Sequence, residues 1–328
     1  MKRRDFITLL GGAAATPLLP PLAVHAQQTR RVGVLISTAE SDAAHQAWLA
    51  TLRRDLEELG RPEGRTVSFE VRWGGGAMDR IRAHAAELAK LAPDVILVSG
   101  SPSAVALKQA TNSVPVVFVV VNDPVAQGIV PSIARPGGNI TGFSLVDYSV
   151  LGKAMELLSQ VVSASRIGVM FNPDTYPYYE TYLKSFRADQ PTFKLEVTGV
   201  RIRTASEIEP ELGKLAGTGT ALIVAPDTFN AVHRVPIINA AAQHRIPASY
   251  PYRVFVQDGG LMAYGPDPAD LFKRAAVYLD RILKGAKPGE LPVQAPTKFD
   301  FTINMKTAKA LGLTLSPSVL ALTDDVIE

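Results

Sequence analysis

The chain has 328 residues and 47% of them are hydrophobic, enough for the cores of one large domain or two ordinary ones. It has no cysteine, which excludes disulfides, thiolate metal sites, cysteine nucleophiles and lipidation of an N-terminal cysteine. The formal charge is +3, but without Lys2, Arg3, Arg4 and Asp5 the chain carries 31 basic and 30 acidic residues. This balance predicts no nucleic-acid partner and no attraction to an anionic membrane.

The first 26 residues read as an export signal. Residues 2–7, KRRDFI, match the twin-arginine pattern, and a mild apolar stretch follows to Leu22. That stretch is shorter than the about 20 apolar residues that span a bilayer. Small residues surround a cleavage point after Ala26. We therefore expect a folded protein delivered to a bacterial periplasm, the alternative being a cytosolic helix with a chance arginine pair.

From residue 31 onward, strand and helix patterns alternate. The expected strands are 31–37, 66–73, 94–99 and 116–121, separated by helices at 42–59, 78–91 and 101–111. Residues 116–121, VVFVVV, are too short for a helix and are typical of a fully buried parallel strand. The order β-α-β predicts a doubly wound parallel sheet, and Thr141 to Phe143 leads away to a second lobe.

The second half repeats this order. Expected strands 166–172, 194–200, 220–226 and 246–250 alternate with helices near 178–187, 206–215 and 229–244. Strands at 260–264 and 299–304, with helices at 270–283 and 305–311, are too few for a third domain. The sequence predicts an α/β fold of two doubly wound lobes joined by three crossover strands. Lobe 1 would comprise residues 27–143 and 265–295, and lobe 2 residues 144–264 and 296–328.

Two phrases resemble a known family. Residues 122–144, NDPVAQGIVPSIARPGGNITGFS, and the later FDFTIN at 299–304 resemble the ABC-transporter substrate-binding family that includes tryptophan- and tyrosine-binding lipoproteins of Gram-positive bacteria. The resemblance implies the type I periplasmic-binding fold, a small-molecule ligand closed between the lobes, and transient contact with a membrane permease. It implies no cofactor, no metal and no catalytic residue. A soluble periplasmic form is expected, because the anchoring cysteine of the Gram-positive members is lacking and a twin-arginine signal takes its place. A monomer is expected as well.

Candidate ligand contacts follow from the strand ends. Ligands in parallel sheets lie outside the carboxyl ends of strands, and the residues there are Ser37, Thr38, Ser101, Ser103, Asn122, Asp123, Asn172, Tyr176, Asp227, Thr228, Tyr250 and Tyr264. The serines at the helix start suit a carboxylate, and Asp123 suits an ammonium. The tyrosines at 176, 178 and 179 suit stacking on a flat ligand. Helix capping, an Asx-turn before Pro124 and surface tyrosines are the structural alternatives.

Other chemistries have little support. The chain lacks a G-x-G-x-x-G after its first strand, a P-loop and a G-x-S-x-G elbow, and the mature histidines show no metal spacing. An enzyme or a periplasmic sensor on the same two-lobe fold stays open as an alternative. The effector domain of a sugar-responsive repressor shares this fold, but the export signal occupies the place of its helix-turn-helix.

Overall fold

The computed structural model of the protein describes residues 29–145, 148–181, 183–184 and 195–328. The expected signal segment 1–26 lies outside these residues, as does the end of the helix expected near 178–187. Within the described ranges, no helix combines the length and the hydrophobicity needed to cross a lipid bilayer.

The first lobe is built on a five-stranded parallel sheet of order β2-β1-β3-β4-β5. Its elements are β1 (Arg30–Ile36), α1 (Ala43–Glu58), β2 (Val67–Trp73), α2 (Met78–Leu91), β3 (Val95–Ser99), α3 (Ser101–Ala110), β4 (Val116–Val121) and β5 (Ile140–Ser144). Every residue of β3 is buried, and all of β4 except Val120. The continuous apolar runs therefore mark the sheet centre, covered by helices on both faces.

The second lobe is built on a seven-stranded sheet of order β12-β11-β10-β9-β8-β6-β7. Its strands are β6 (Arg166–Phe171), β7 (Glu196–Arg201), β8 (Thr220–Val224), β9 (Ala248–Tyr250), β10 (Met262–Pro266), β11 (Phe299–Asn304) and β12 (Asp325–Ile327). Its helices are α4 (Tyr148–Val161), α5 (Ile208–Gly213), α6 (Thr228–Val232), α7 (Arg234–Gln243), α8 (Arg253–Gln257), α10 (Met305–Ala310) and α11 (Pro317–Leu320). The pairing is parallel except between β10 and β11.

Three chain segments connect the lobes. β5 leads from the first sheet into α4, and Phe143 bridges Gln294 on a returning segment. After β10, helix α9 (Pro268–Leu283) packs against α1 and β4 of the first lobe, before β11 rejoins the second sheet. The predicted two-lobe α/β fold with parallel sheets is confirmed.

One expected helix differs from the structure, and several elements were not predicted. The single helix expected at 229–244 is two helices, α6 and α7, separated at His233. Pro236 lies in the first turn of α7, where its missing N–H is tolerated but a continuous helix through it would clash with the preceding turn. The chain between Phe143 and Arg166 contains α4, which the sequence analysis did not predict. Helix α8 and strand β12 were missed as well, since each is too short to show a period.

Candidate ligand site between the lobes

The strand ends of the two lobes face each other and touch. Asn122, directly after β4, donates its side-chain amide to the carbonyl oxygen of Pro226, after β8, at 2.7 Å. Gly100, after β3, lies so near that a Cβ there would be 3.3 Å from Oγ1 of Thr228 at the start of α6. The structure therefore shows the two lobes closed on each other along the edge where the sequence placed the ligand site.

Two of the candidate serines form a pair in the first lobe. The hydroxyls of Ser37, after β1, and Ser103, in the first turn of α3, are 2.7 Å apart, and both residues are buried. Ser37 also donates to the carbonyl of Ser99 and accepts from the backbone N–H of Ser103. The N-cap of α3 is Gly100, without a side-chain cap bond. Ser103 therefore does not act as the N-cap of α3, and the pair connects β1 to the first turn of this helix.

A third serine connects α3 to the end of β4. The hydroxyl of Ser101 accepts hydrogen bonds from the backbone N–H of Asn122 at 3.2 Å and from Nε2 of Gln127 at 3.0 Å. Gln127 also donates to the carbonyl of Asn122. Gln127 was not among the predicted ligand contacts. Its signal was its place within the family phrase, five residues after Asn122.

Three buried polar atoms of this wall lack a partner. Among the described residues, Oγ1 of Thr38, Oγ of Ser99 and Oδ1 of Asn122 are buried without a hydrogen-bond partner, on residues that are 2%, 0% and 4% exposed. Buried polar groups are nearly always satisfied, and an unpaired one costs about 1–3 kcal/mol. Thr38 follows β1 and Asn122 follows β4, and Ser99 ends β3, which lies between these two strands in the sheet. They are suited to bind the polar groups of an enclosed solute.

Asp123 takes a different conformation from the one expected. A residue that precedes proline usually has an extended backbone, yet the φ of Asp123 is +28°. Its Oδ1 accepts the backbone N–H of Ala126 at 3.0 Å, which closes a turn after β4. The side chain is half-buried, and the turn bond uses one of its two carboxylate oxygens. Contact between Asp123 and a ligand ammonium stays a prediction.

In the second lobe, Asp227 holds the loop after β6. Its carboxylate accepts the backbone N–H of Asn172 at 2.7 Å, the hydroxyl of Thr175, and the backbone N–H of Phe229 at 2.9 Å, where it caps α6. Complete burial raises the pKa of Asp227 to about 6, although all three hydrogen bonds lower it. Asp227 therefore fixes the loop after β6 relative to the start of α6 on this wall of the cleft.

Both polar atoms of the Asn172 side chain have hydrogen-bond partners within the second lobe. Its Oδ1 accepts the backbone N–H of Asp174 at 2.8 Å, and its Nδ2 donates to the carbonyl of Arg203 at 2.9 Å. Such local bonds are typical of asparagine after a strand. Thr228, one residue beyond Asp227, is the candidate of this group that reaches toward the first lobe.

The candidate tyrosines meet around a small apolar recess. Tyr176, Tyr250 and Tyr264 line a cavity of about 30 Å³ beneath α4, beside Pro226 and Ser249. Tyr250 is buried and its ring stacks on Phe255, 5.2 Å between centroids, while Tyr264 stacks on Phe299. Tyr176 packs edge-on against Tyr179. The recess therefore places aromatic side chains beside Pro226, whose carbonyl oxygen accepts the hydrogen bond from Asn122 of the first lobe.

Charged side chains join the lobes at the outer edge. Arg234, at the start of α7, contacts Asp42 of the first lobe at 3.3 Å and Asp258 of its own lobe at 2.6 Å. Asp42 caps α1 through the N–H groups of Ala44 and His45. Its pKa lies below the usual range because hydrogen bonding and charge from His45 and Arg234 outweigh burial. In the described part of the chain, no group of three or more histidine, aspartate or glutamate residues is placed to hold a metal.

The family model for ABC transporter substrate binding proteins matches residues 32–327. The chain belongs to this family. The match spans both lobes and the polar strand ends described above, so the chain is the substrate-binding protein of an ABC transporter, a family whose members bind small molecules and work with ABC permeases.

Individual relatives agree with the family assignment. The chain is 27% identical over 291 residues to a tyrosine-binding protein of Clostridioides difficile, covering 88% of this chain and 82% of the relative. It matches a conserved domain protein of Vibrio cholerae with a TM-score of 0.85 and 25% identity, over 91% of this chain and 100% of the other. An ABC domain of Streptococcus pneumonia in complex with L-Trp matches with a TM-score of 0.84 and 24% identity, over the same shares.

Proposed function

We propose that this protein is the periplasmic receptor of an ABC importer and that it captures an amino acid or another small aromatic solute between its lobes. The observation that carries the proposal is the group of buried, unpartnered polar atoms at Thr38, Ser99 and Asn122, beside serine hydroxyls that are hydrogen-bonded. A solute with polar groups at one end would supply hydrogen-bond partners for these atoms.

The ligand class follows from the two sides of the cleft. The first lobe offers hydroxyl, amide and carboxylate oxygens, which suit the polar backbone of an amino acid, with Asp123 beside its ammonium. The second lobe offers the rings of Tyr176 and Tyr264, which suit packing against an apolar or aromatic side chain, whereas the enclosed recess of about 30 Å³ beside them has room for water only. The relatives named for tyrosine binding and for an L-Trp complex support this class.

Closure of the lobes would couple binding to transport. A ligand that contacts both lobes binds the closed form better than the open one and shifts the population toward it. The connecting segments near Gly142, Gly265 and Ala295 would absorb the rotation. The closed protein, a monomer, would then present a surface made of both lobes to the membrane permease.

The proposal is tested by titration calorimetry of the mature protein with L-tryptophan, L-tyrosine and L-phenylalanine, with glycine and D-glucose as controls. We expect saturable binding of at least one aromatic amino acid, and a smaller radius of gyration by small-angle scattering at saturation. Ligand released from protein purified without refolding, identified by mass spectrometry, should belong to the same class. A sugar or an inorganic anion in that fraction would contradict the proposed class, and an unchanged radius would contradict the closing mechanism.

A further inference from the structure

A second crevice lies between the lobes, on the flank that carries α1 and α9. Its volume is about 400 Å³, within the roughly 300–1,000 Å³ of small-molecule sites. The N-terminal half of α1 forms one wall, α8 forms the opposite wall, and residues 265–268 of the connecting segment form the end. None of the twelve predicted ligand contacts lines this crevice.

Aromatic side chains form the floor of the crevice, and small side chains form its wall on α1. Trp48 meets the ring of Tyr252 edge-on at 6.2 Å, and both side chains line the crevice. Ala43, Ala44 and Ala47 form the α1 wall. Because alanine ends at Cβ, this wall leaves room for an occupant against the indole ring. Aromatic faces attract both flat apolar groups and cations.

The charges at the crevice are predominantly acidic. Three carboxylates, Asp258, Asp267 and Asp300, and two guanidinium groups, Arg234 and Arg253, line the crevice. With Asp42, Asp325 and Lys298 beside the crevice, they form three separate groups of ion pairs. Each basic side chain already has a carboxylate within 2.7 Å, and two of the three contact a second carboxylate. The local excess of negative charge favours a cationic occupant.

Asp300 is the carboxylate with the weakest partner. Its Oδ1 lies 3.9 Å from Nζ of Lys298, which lies 2.7 Å from Asp267 instead. Burial, assisted by repulsion from Asp267 and Asp324, raises the pKa of Asp300 against the opposing effect of Lys298. A second cation beside Asp300 would relieve this repulsion.

We propose that this crevice is a second binding site, for a small organic ammonium ion whose charge lies beside Asp300 and whose apolar body packs on Trp48 and Tyr252. The crevice is walled by α1 of the first lobe and α8 of the second, and Arg234 on its lining joins the lobes through Asp42. Occupancy therefore alters the equilibrium between open and closed lobes. This coupling rests on the proposed closing mechanism, whereas the site itself does not.

The test uses benzyltrimethylammonium as the probe. The chain contains two tryptophans, so Trp73→Phe leaves Trp48 as the fluorescence reporter within the crevice. We expect a saturable change in Trp48 emission, and at least fivefold weaker probe binding in Asp300→Asn. Asp79→Asn is the matched control, because Asp79 is a fully exposed carboxylate on α2, and it should bind the probe as the parent does.

A second pair of variants tests the location. Ala47→Leu fills the crevice from α1, whereas Ala50→Leu adds the same group at an exposed position of the same helix that does not line it. Probe binding should be lost in the first and retained in the second, with circular dichroism confirming that both fold. Equal binding in Ala47→Leu and Ala50→Leu, or in Asp300→Asn and Asp79→Asn, would overturn the site.

Competition separates this site from the cleft. L-Tryptophan should leave the probe bound, and saturating probe should change the affinity for L-tryptophan at least twofold, since coupling between two sites is reciprocal. Full displacement of the probe by L-tryptophan would place it in the cleft and overturn the proposal, and an unchanged affinity would overturn the coupling. Failure of L-tryptophan, L-tyrosine and L-phenylalanine to bind would count against the proposed ligand class and not against the crevice, because the emission of Trp48 reports probe binding without any of them.

Discussion

The side-chain amide of Asn122 in the first lobe donates to the carbonyl oxygen of Pro226 in the second lobe across 2.7 Å. The other atom of the same amide, Oδ1, is buried and has no partner among the described residues. One side chain thus both joins the closed lobes and offers an acceptor to an enclosed ligand. Its contribution to ligand affinity should be larger than that of a residue with one of these roles.

Asn122→Ala should weaken ligand binding by roughly tenfold. Loss of a net hydrogen bond costs about 0.5–1.5 kcal/mol, and about 1.4 kcal/mol is a factor of ten in affinity. Calorimetric titration with the ligand found for the wild type measures the effect. Asn112→Ala, at an exposed asparagine elsewhere in the first lobe, is the matched control. Affinity within twofold of wild type in Asn122→Ala would show that the amide contributes little to the closed, bound state.

Two substitutions at Asp123 separate a ligand contact from a turn residue. Asn keeps the oxygen that accepts the N–H of Ala126 but removes the negative charge, whereas Ala removes both. If the carboxylate binds the ligand ammonium, both variants should lose at least roughly tenfold in affinity, or about 1.4 kcal/mol. Wild-type affinity in Asp123→Asn together with weak binding in Asp123→Ala would assign Asp123 to the turn.

Arg234→Gln should shorten the lifetime of the bound state. The Arg234–Asp42 contact joins the lobes, and the two side chains are 18% and 7% exposed. A partly buried ion pair of this kind contributes on the order of 1 kcal/mol, so ligand dissociation should accelerate by roughly fivefold. Stopped-flow measurement of ligand release gives the rate. Arg201→Gln is the control, since Arg201 pairs with Glu180 inside one lobe, and a similar acceleration there would exclude an effect specific to the lobe contact.

Asp227 should make the stability of the protein depend on pH. Its folded pKa, about 6, lies above the ordinary value of 3.8, so the folded state holds a proton that the unfolded state has lost between these pH values. The contribution of Asp227 is therefore fully present below about pH 4 and is lost as pH rises to about 6, by up to about 3 kcal/mol. Denaturant unfolding of wild type and Asp227→Asn across this range measures the difference. Parallel stability curves for the two proteins would show that Asp227 keeps an ordinary pKa.

The export expectation has a test of its own. Replacing Arg3 and Arg4 with lysine preserves the charge but removes the twin-arginine pair, so the precursor should remain in the cytoplasm. Cell fractionation and immunoblotting follow its distribution. The same replacement at Arg30 and Arg31, an arginine pair beyond the expected cleavage site, is the control. Normal periplasmic accumulation of the first variant would exclude this export route without affecting the proposed binding function.

The sequence by itself determined the two-lobe α/β fold. The apolar run of β4, the repeated strand-helix order and the family phrase are all visible in the local sequence. The apolar run predicts a strand correctly because a buried parallel strand needs an unbroken apolar segment. The local sequence also identified the polar residues that follow the strands and meet between the lobes. It failed where a helix was interrupted by Pro236 and where elements such as α8 were too short to show a period.

Only the tertiary structure decided what each polar strand end does. The carboxylate of Asp227 accepts the backbone N–H of Asn172, 55 residues away in the same lobe, whereas the side-chain amide of Asn122 donates to Pro226 across the cleft. Arg234 meets Asp42 over a separation of 192 residues. Sequence spacing carries no information about such contacts, because they depend on how two separately folded lobes close and on the backbone angle that directs each side chain.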